Sequence, residues 1–419
     1  MNKNRCEIEL VEMNEVSATP DEVIEYYTKT DYTDKDFSDS DINKYIHAQP
    51  KSQAVLFKWR NTPNVTAESK RLYLFNKTVG SVYGVYEISG NAAEIEIDGL
   101  YTGHVFCWYI ETHGNCEKVV RSRVSEFKTK PGRRIINLEG AENARDLGGI
   151  LTKDGIEIKQ GLLYRSSELD TENYKITENG VRYAAEFLKI KTELDLRKPE
   201  QRGEIAMKGE STLGKNVNYL NFSCAEYDHF IKAENGNEAD IIRVFADIDN
   251  YPLLFHCVYG ADRTGTVAYL LEVLCGIEID GLTKDYELTA WRNRTYEPYT
   301  ALVKSSFDLP GESLSKKIYK FFNEKLGVSK MEISNIKNIL TTNSAVFKSD
   351  SLRKPLSVSE QWAEFRIDFR NSLSIKQVFG ENETLEYKQC NDKIAIKISD
   401  CAKSGKILFN DGKILEFEV

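Results

Sequence analysis

The chain has 419 residues, a formal charge of −9, and 41% hydrophobic and 29% charged residues. That length exceeds one typical domain and suggests two to four, with a composition ordinary for soluble globular protein. The negative balance argues against a general role on nucleic acid or an anionic membrane, and no apolar run approaches spanning length.

Residues 1–47 are rich in Asp, Glu, Asn and Tyr and read as a partly ordered polar leader, with one or two helical turns after Pro20. Met1-Asn-Lys-Asn-Arg-Cys-Glu7 lacks the apolar core of a signal peptide. The expected compartment is therefore the cytoplasm, or the outside or surface of the cell if a leader has been removed.

From 48 to 130 the pattern becomes one of short strands. Ala54–Trp59, Leu72–Phe75, Ala93–Ile97 and Val105–Ile110 are β-branched or aromatic and separated by turn residues, which predicts a small antiparallel sandwich. Trp59 on an early strand, and Asp98-Gly-Leu100 six residues before Phe106, resemble a fibronectin type III domain, although that family usually has Tyr where Phe106 stands. Such a module would act as a spacer or bind a protein partner. The eight cysteines show no paired metal spacing and no dense disulfide framework; Cys107 and Cys116 are close enough for a hairpin disulfide, but free thiols are expected.

Lys130-Pro-Gly132 reads as a boundary. After it, Gly148-Gly149 predicts a tight turn and Leu162–Tyr164 a short strand ending in polar Arg165, Ser166 and Ser167, which would line a pocket or cap a helix. Arg145 and Asp146 are expected in a structural ion pair. Asn173–Leu188 has helical spacing, Glu193–Arg197 and Tyr219–Phe222 read as strands, and a long polar loop, Ser223–His229, precedes a helix from Asp240. Alternation of strand and helix predicts an α/β layer architecture.

Next come an apolar strand, Pro252–Phe255, a loop, and a packed helix, Thr264–Leu274. The loop holds His256, Cys257, Val258, Tyr259, Gly260, Ala261, Asp262 and Arg263, followed by Thr264 and Gly265. A strand, tight loop and helix N-terminus make an anion cradle from backbone N–H groups and the helix dipole. A cysteine at its floor is favoured as thiolate, and an arginine six residues on offers a planar fork to two phosphoryl oxygens. The chemistry this predicts is attack by Cys257 on a phosphate ester, giving a phosphocysteine that water hydrolyses.

The run His-Cys-x-x-Gly-x-x-Arg-Thr-Gly at 256–265 resembles the signature loop of cysteine-dependent protein tyrosine phosphatases. Asp262 just before Arg263 is similar to the bacterial tyrosine/lipid phosphatase branch. The upstream runs Asn143-Ala-Arg-Asp-Leu-Gly-Gly149 and Gly161-Leu-Leu-Tyr-Arg-Ser-Ser-Glu-Leu169 resemble the same branch in order and distance, so the likeness spans roughly 133–342. It implies a three-layer α/β catalytic domain over 133–342, with Cys257 as nucleophile and Arg263 as phosphoryl clamp. In that branch the Asp inside the loop is the general acid, which the resemblance carries to Asp262; Asp228 or Glu226 on the 223–229 loop is the alternative, since many phosphatases of the wider family bring an acid from a separate loop. Thr264 would donate to the sulfur and His256 order the loop from behind. No metal or organic cofactor is required, because thiolate, dipoles and arginine carry the charge.

The expected substrate is a phosphorylated protein, phosphotyrosine first, or a small phosphate ester. Branch members acting on phosphoinositides often hold Lys where this chain has Ala261, which weakens the phosphoinositide or inositol-phosphate alternative. Intact Cys257 and Arg263 speak against a pseudophosphatase, and a scaffold role alone would leave the signature loop unexplained.

Beyond the loop, Asp285–Thr289 is expected to begin a helix, followed by helices over Leu314–Leu326 and Lys330–Leu340. Residues 345–419 return to alternation at Glu364–Phe369, Lys393–Ile398 and Lys406–Phe409, with Asp411-Gly412 as a hairpin turn, and predict a small β-rich C-terminal domain.

Overall fold

A computed structural model describes residues 8–32, 42–61, 68–113, 119–289, 295–341, 346–352, 355–359, 361–368, 375–380, 384–398, 404–410 and 414–419. The chain is a mixed α/β protein with several sheets, dividing into two compact units: Met1–Thr30 with Asp41–Asn137, and Asp31–Ser40 with Leu138–Val419. Among the described residues no helix is long and apolar enough to cross a membrane.

The first unit contains two sheets. One has the order Ile8–Leu10, Val55–Asn61, Glu94–Ile97; the other Glu15–Val16, Ser125–Thr129, Val105–His113, Ser69–Asn76, Ser81–Ser89. Alternate residues of the long strands are buried, so period-2 patterning turns Val55, Phe57 and Trp59 toward Leu72, Leu74, Phe106, Trp108 and Ile110. Phe57 meets the Trp108 ring edge-on at 5.0 Å. All four expected strands are present. Ser81–Ser89 escaped notice because its outward residues include exposed Val82 and Val85, which blur the alternation. The unit continues past the expected boundary to Asn137, with Arg134 Nε donating to Gly99 O at 2.8 Å. Cys107 is a free thiol; Cys116 lies outside the described residues.

The second unit is built on a five-stranded sheet in the order Asn218–Asn221, Thr192–Asp195, Leu253–His256, Leu163–Ser166, Arg145–Asp146. The first four strands run parallel and the last antiparallel. Leu253–His256 is central and buried along its whole length, as a continuous apolar run requires. Its carboxyl end therefore opens at the middle of the sheet's edge, where open α/β sheets place their ligands. Asp262–Cys275 follows as a helix buried from Thr264 to Cys275.

Two helical expectations are corrected. The Asn173–Leu188 helix starts only at Glu178, where Thr177 Oγ1 accepts from Gly180 N at 3.2 Å, and it closes as a π turn over Tyr183–Phe187. Asp285 does not begin a helix. It sits near the end of Ile279–Glu287, because buried Leu282 and Tyr286, four residues apart, set the inward face of that helix. A further helix, Glu297–Phe307, was not foreseen.

In the C-terminal stretch all three expected runs are strands, at Trp362–Asp368, Lys393–Lys397 and Ser404–Phe409, and the turn expected at Asp411-Gly412 lies outside the described residues. These strands share the second unit's core with helix Lys330–Thr341. Asn335 Nδ2 donates to Phe347 O and Phe347 N returns a bond to Asn335 Oδ1, each at 2.9 Å.

Candidate active site

The loop between Leu253–His256 and the helix at Asp262 is shaped from outside. Asn143 Nδ2 donates to the carbonyls of Gly260 (2.9 Å) and Tyr259 (3.2 Å), Arg165 donates to Gly260 O at 2.7 Å, and Glu168 N donates to Val258 O at 3.0 Å. In a trans peptide the N–H points opposite to the C=O. Drawing these three carbonyls outward thus turns the N–H groups of Tyr259, Gly260 and Ala261 the other way, which builds the cradle. Gly260 holds φ +64°, and a β-carbon there would stand 2.2 Å from Ser166 O, so the close approach demands glycine.

Cys257 lies at the floor and is 1% exposed. Burial alone would push its thiol up. The Arg263 charge, the Thr264 hydroxyl and N–H, and the Ala261 N–H outweigh burial, and the pKa falls below the ordinary thiol value. Thr264 Oγ1 is buried and, among the described residues, has no other hydrogen-bond partner. Gly265 N continues the first turn by donating to Ala261 O at 2.9 Å. Val258 is half-buried, while Tyr259 is 44% exposed and meets Tyr174 edge-on at the loop's outer side.

His256 is buried behind the loop. Its Nε2 lies 3.0 Å from Glu193 Oε1, and its Nδ1 lies 4.0 Å from Asp195 Oδ1. Burial opposes the charged imidazole, but the two carboxylates prevail and raise its pKa. Arg263 NH1 donates to Gln201 Oε1 at 2.6 Å. Asp262 opens the helix and accepts a hydrogen bond from the Tyr227 hydroxyl. Tyr227 holds φ +55°, a costly conformation for a bulky residue, while its N–H donates to Thr266 Oγ1 at 2.7 Å.

A cavity of about 270 Å³ lies beside Arg263, lined also by Lys198, Gln201, Glu226, His229 and Glu234. Glu226 is therefore at the site and exposed. Asp228 is not among the lining residues; it is tied to Lys232 at 2.7 Å, and that bond holds its carboxyl below the usual range. Arg165 and Ser166 neither line the pocket nor cap a helix. Both are strand residues with no exposed surface: Arg165 braces Gly260, and Ser166 Oγ donates to Ser167 O.

Arg145 pairs with Asp285 rather than Asp146, at 2.9 Å, and Asp285 also takes Arg165 at 2.5 Å. Asp146 instead accepts the N–H groups of Gly148 (2.8 Å) and Gly161 (2.6 Å). The buried Asp285 carboxylate thus pairs with two buried guanidiniums under the loop. Asp285→Asn is expected to destabilise the chain by about 3 kcal/mol, because two cations lose their counter-charge. Urea denaturation checks this; a change below about 1 kcal/mol, the scale of exposed pairs, would contradict it.

Sequence reasoning missed Gln201, Tyr227 and Asp285, whose partners lie 62, 35 and 140 residues away in the chain. Only Arg197 carried a local signal: Glu193 and Asp195 alternate with it on and beyond one strand, and it ends buried among Asp195, Asp170 and Glu168.

An α/β fold thus holds a thiolate-prone cysteine at the floor of a loop whose carbonyls are bonded by Asn143, Arg165 and Glu168. A model of the tyrosine phosphatase family matches residues 136–342. A protein of Cupriavidus necator bearing the name of a tyrosine-protein phosphatase is 25% identical over 198 residues, covering 41% of this chain and 69% of the relative. These matches support a phosphatase enzyme. Among solved structures, the core catalytic domain of the PP-IP phosphatase Siw14 from S. cerevisiae is 14% identical, covering 43% of this chain and 88% of that one, with a TM-score of 0.25. A second Siw14 catalytic core is 16% identical, covering 46% and 97%, with a TM-score of 0.27. Superpositions at that level are too loose to define a common fold.

Proposed function

We propose that the chain hydrolyses phosphate monoesters, phosphotyrosine in proteins first among them, through a phosphocysteine on Cys257. The observation that carries this reading is the depressed thiol of Cys257 inside a loop of inward N–H groups, beside Arg263 and a helix N-terminus. Arg263 binds the phosphoryl oxygens and meets the charge of the transition state. Thr264 steadies the sulfur as it leaves in the second step, and His256, bonded to Glu193, orders the loop from behind. The catalytic domain spans 133–342 in a three-layer arrangement. The sandwich at 48–130, fibronectin type III-like in pattern, serves as a spacer or partner-binding module, and 345–419 forms a further β-rich piece.

A second reading, a phosphoinositide or inositol-phosphate substrate, draws support from Lys198 and the polar lining of the cavity beside Arg263. Ala261, where branch members acting on phosphoinositides often hold Lys, weighs against it. The experiment is a panel of phosphotyrosine peptides, phosphoserine peptides, phosphoinositides and inositol phosphates, with Cys257→Ser as blank. Turnover confined to inositol phosphates would replace the first reading with the second, and no turnover above the blank would overturn both.

The general acid is Asp262 in this proposal. Asp262 stands beside Arg263 at the start of the helix and accepts from the Tyr227 hydroxyl, whereas Asp228 is tied to Lys232 and does not line the cavity beside Arg263. Alkyl leaving groups need a proton in the transition state, and acidic phenols do not. Asp262→Asn is thus expected to slow alkyl phosphates about 10²-fold and aryl phosphates of acidic phenols far less. The same selectivity in Asp228→Asn, and not in Asp262→Asn, would move the acid to the 223–229 loop.

A further inference from the structure

Arg263 is gripped by a residue outside its own loop. NH1 donates to Gln201 Oε1, and Nε, though buried, has no hydrogen-bond partner among the described residues. Gln201 is itself held at several points. Its Oε1 also accepts from Lys198 N (3.2 Å), its N–H donates to Lys198 O (3.0 Å), and its carbonyl accepts from Arg197 NH1 (3.2 Å). Arg197 is anchored by Asp195 at 2.7 Å, Asp170 at 2.9 Å and Glu168 at 3.1 Å. A continuous chain of bonds therefore runs from a buried ion nest at the end of strand Thr192–Asp195, through the turn at 198–201, to one nitrogen of Arg263.

A guanidinium offers an oxyanion two bidentate edges, Nε with NH2 or NH1 with NH2. The bond from NH1 to Gln201 leaves the Nε–NH2 edge wholly free among the described residues, whereas the NH1–NH2 edge would share NH1 with the amide oxygen, and the partnerless Nε belongs to the first edge. We infer that Gln201 is a positioning residue that selects the Nε–NH2 edge of Arg263 for the phosphoryl group. The inference rests on the proposed role of Arg263 as phosphoryl clamp. The residue type fits the task. A neutral amide oxygen orients the guanidinium without cancelling its charge, whereas a glutamate would give the same geometry and set a negative charge against an arriving dianion.

The test uses the full chain and a phosphotyrosine peptide, with Gln201→Met, Gln201→Glu, Arg263→Lys and the double variant Gln201→Met/Arg263→Lys. Methionine keeps the length and removes the acceptor. Gln201→Met is expected to lower kcat/KM about 10-fold in the native background and less than about twofold beside Arg263→Lys, because its effect travels through the guanidinium. Gln201→Glu keeps kcat within about threefold and raises both KM and the inhibition constant for inorganic phosphate about 10-fold, since orientation survives and charge does not. Equal losses from Gln201→Met in both backgrounds would mean a general structural role and overturn the inference. So would unchanged kinetics in Gln201→Met, or a Gln201→Glu protein that falls in kcat alone. Native protein without turnover on any phosphate ester would instead remove the proposed function on which the inference stands.

Discussion

Cys257→Ser is expected to lower kcat/KM on phosphotyrosine peptides by at least about 10⁴-fold while inorganic phosphate still binds. The two halves of that result come from different atoms. Turnover needs the sulfur, whose thiolate is favoured because Arg263, Thr264 and the Ala261 N–H outweigh its burial. Serine's hydroxyl, with a far higher pKa, stays protonated in the same setting and is a poor nucleophile without a base beside it. Binding needs the cradle, which is built by donors from Asn143, Arg165 and Glu168 that the substitution leaves untouched. The native thiolate should also show itself directly. A depressed pKa keeps the reactive anion populated below about pH 8.5, the ordinary midpoint of a thiol, so alkylation by iodoacetate should persist at lower pH than for a free cysteine. Alkylation that follows the ordinary thiol profile, or a serine variant that retains turnover, would end the nucleophile assignment.

The loop was legible in the sequence because its requirements are local. A strand, a cysteine, a glycine at positive φ and an arginine at a helix start all fall within fifteen residues, and each has a residue type that few alternatives replace. The short strands of the sheet were also legible, since Leu163–Ser166, Thr192–Asp195 and Leu253–His256 are apolar or alternate over four residues. What escaped was whatever depends on chain returning from a distance. Asp285 looks like the polar start of a helix until Leu282 and Tyr286 fix the face of that helix, after which it is the counter-ion for Arg145 and Arg165. Arg165 and Ser166 read as pocket-lining or helix-capping residues because they end a strand. They are enclosed because Gly260 comes within van der Waals reach of Ser166 O. In the C-terminal stretch alternation revealed the strands. The bond pair between Asn335 and Phe347, which ties them to helix Lys330–Thr341, has no signature in either segment alone.

The arginine yields the other large effect. Arg263→Lys keeps a positive charge at the loop and should still lose about 10³-fold in kcat. In the proposed mechanism the native guanidinium has two tasks at once: NH1 is bonded to Gln201 Oε1, and the rest of the plane would meet the phosphoryl group. An ammonium is a single point on a flexible stem, so a bond to Gln201 draws it away from the substrate, and a bond to the substrate gives up the anchor. The loss should fall on kcat more than on KM. The inward N–H groups of Tyr259, Gly260 and Ala261 still hold the ground-state dianion, whereas charge spread over the equatorial oxygens of the transition state needs donors fixed in one plane. Removing the side chain altogether, in Arg263→Ala, leaves a space that added guanidinium ion can enter. Partial recovery of kcat with guanidinium, and none with ammonium, would show that planar geometry carries the effect. Equal recovery by both ions, or an Arg263→Lys protein within about tenfold of native kcat, would reduce the role of Arg263 to charge alone.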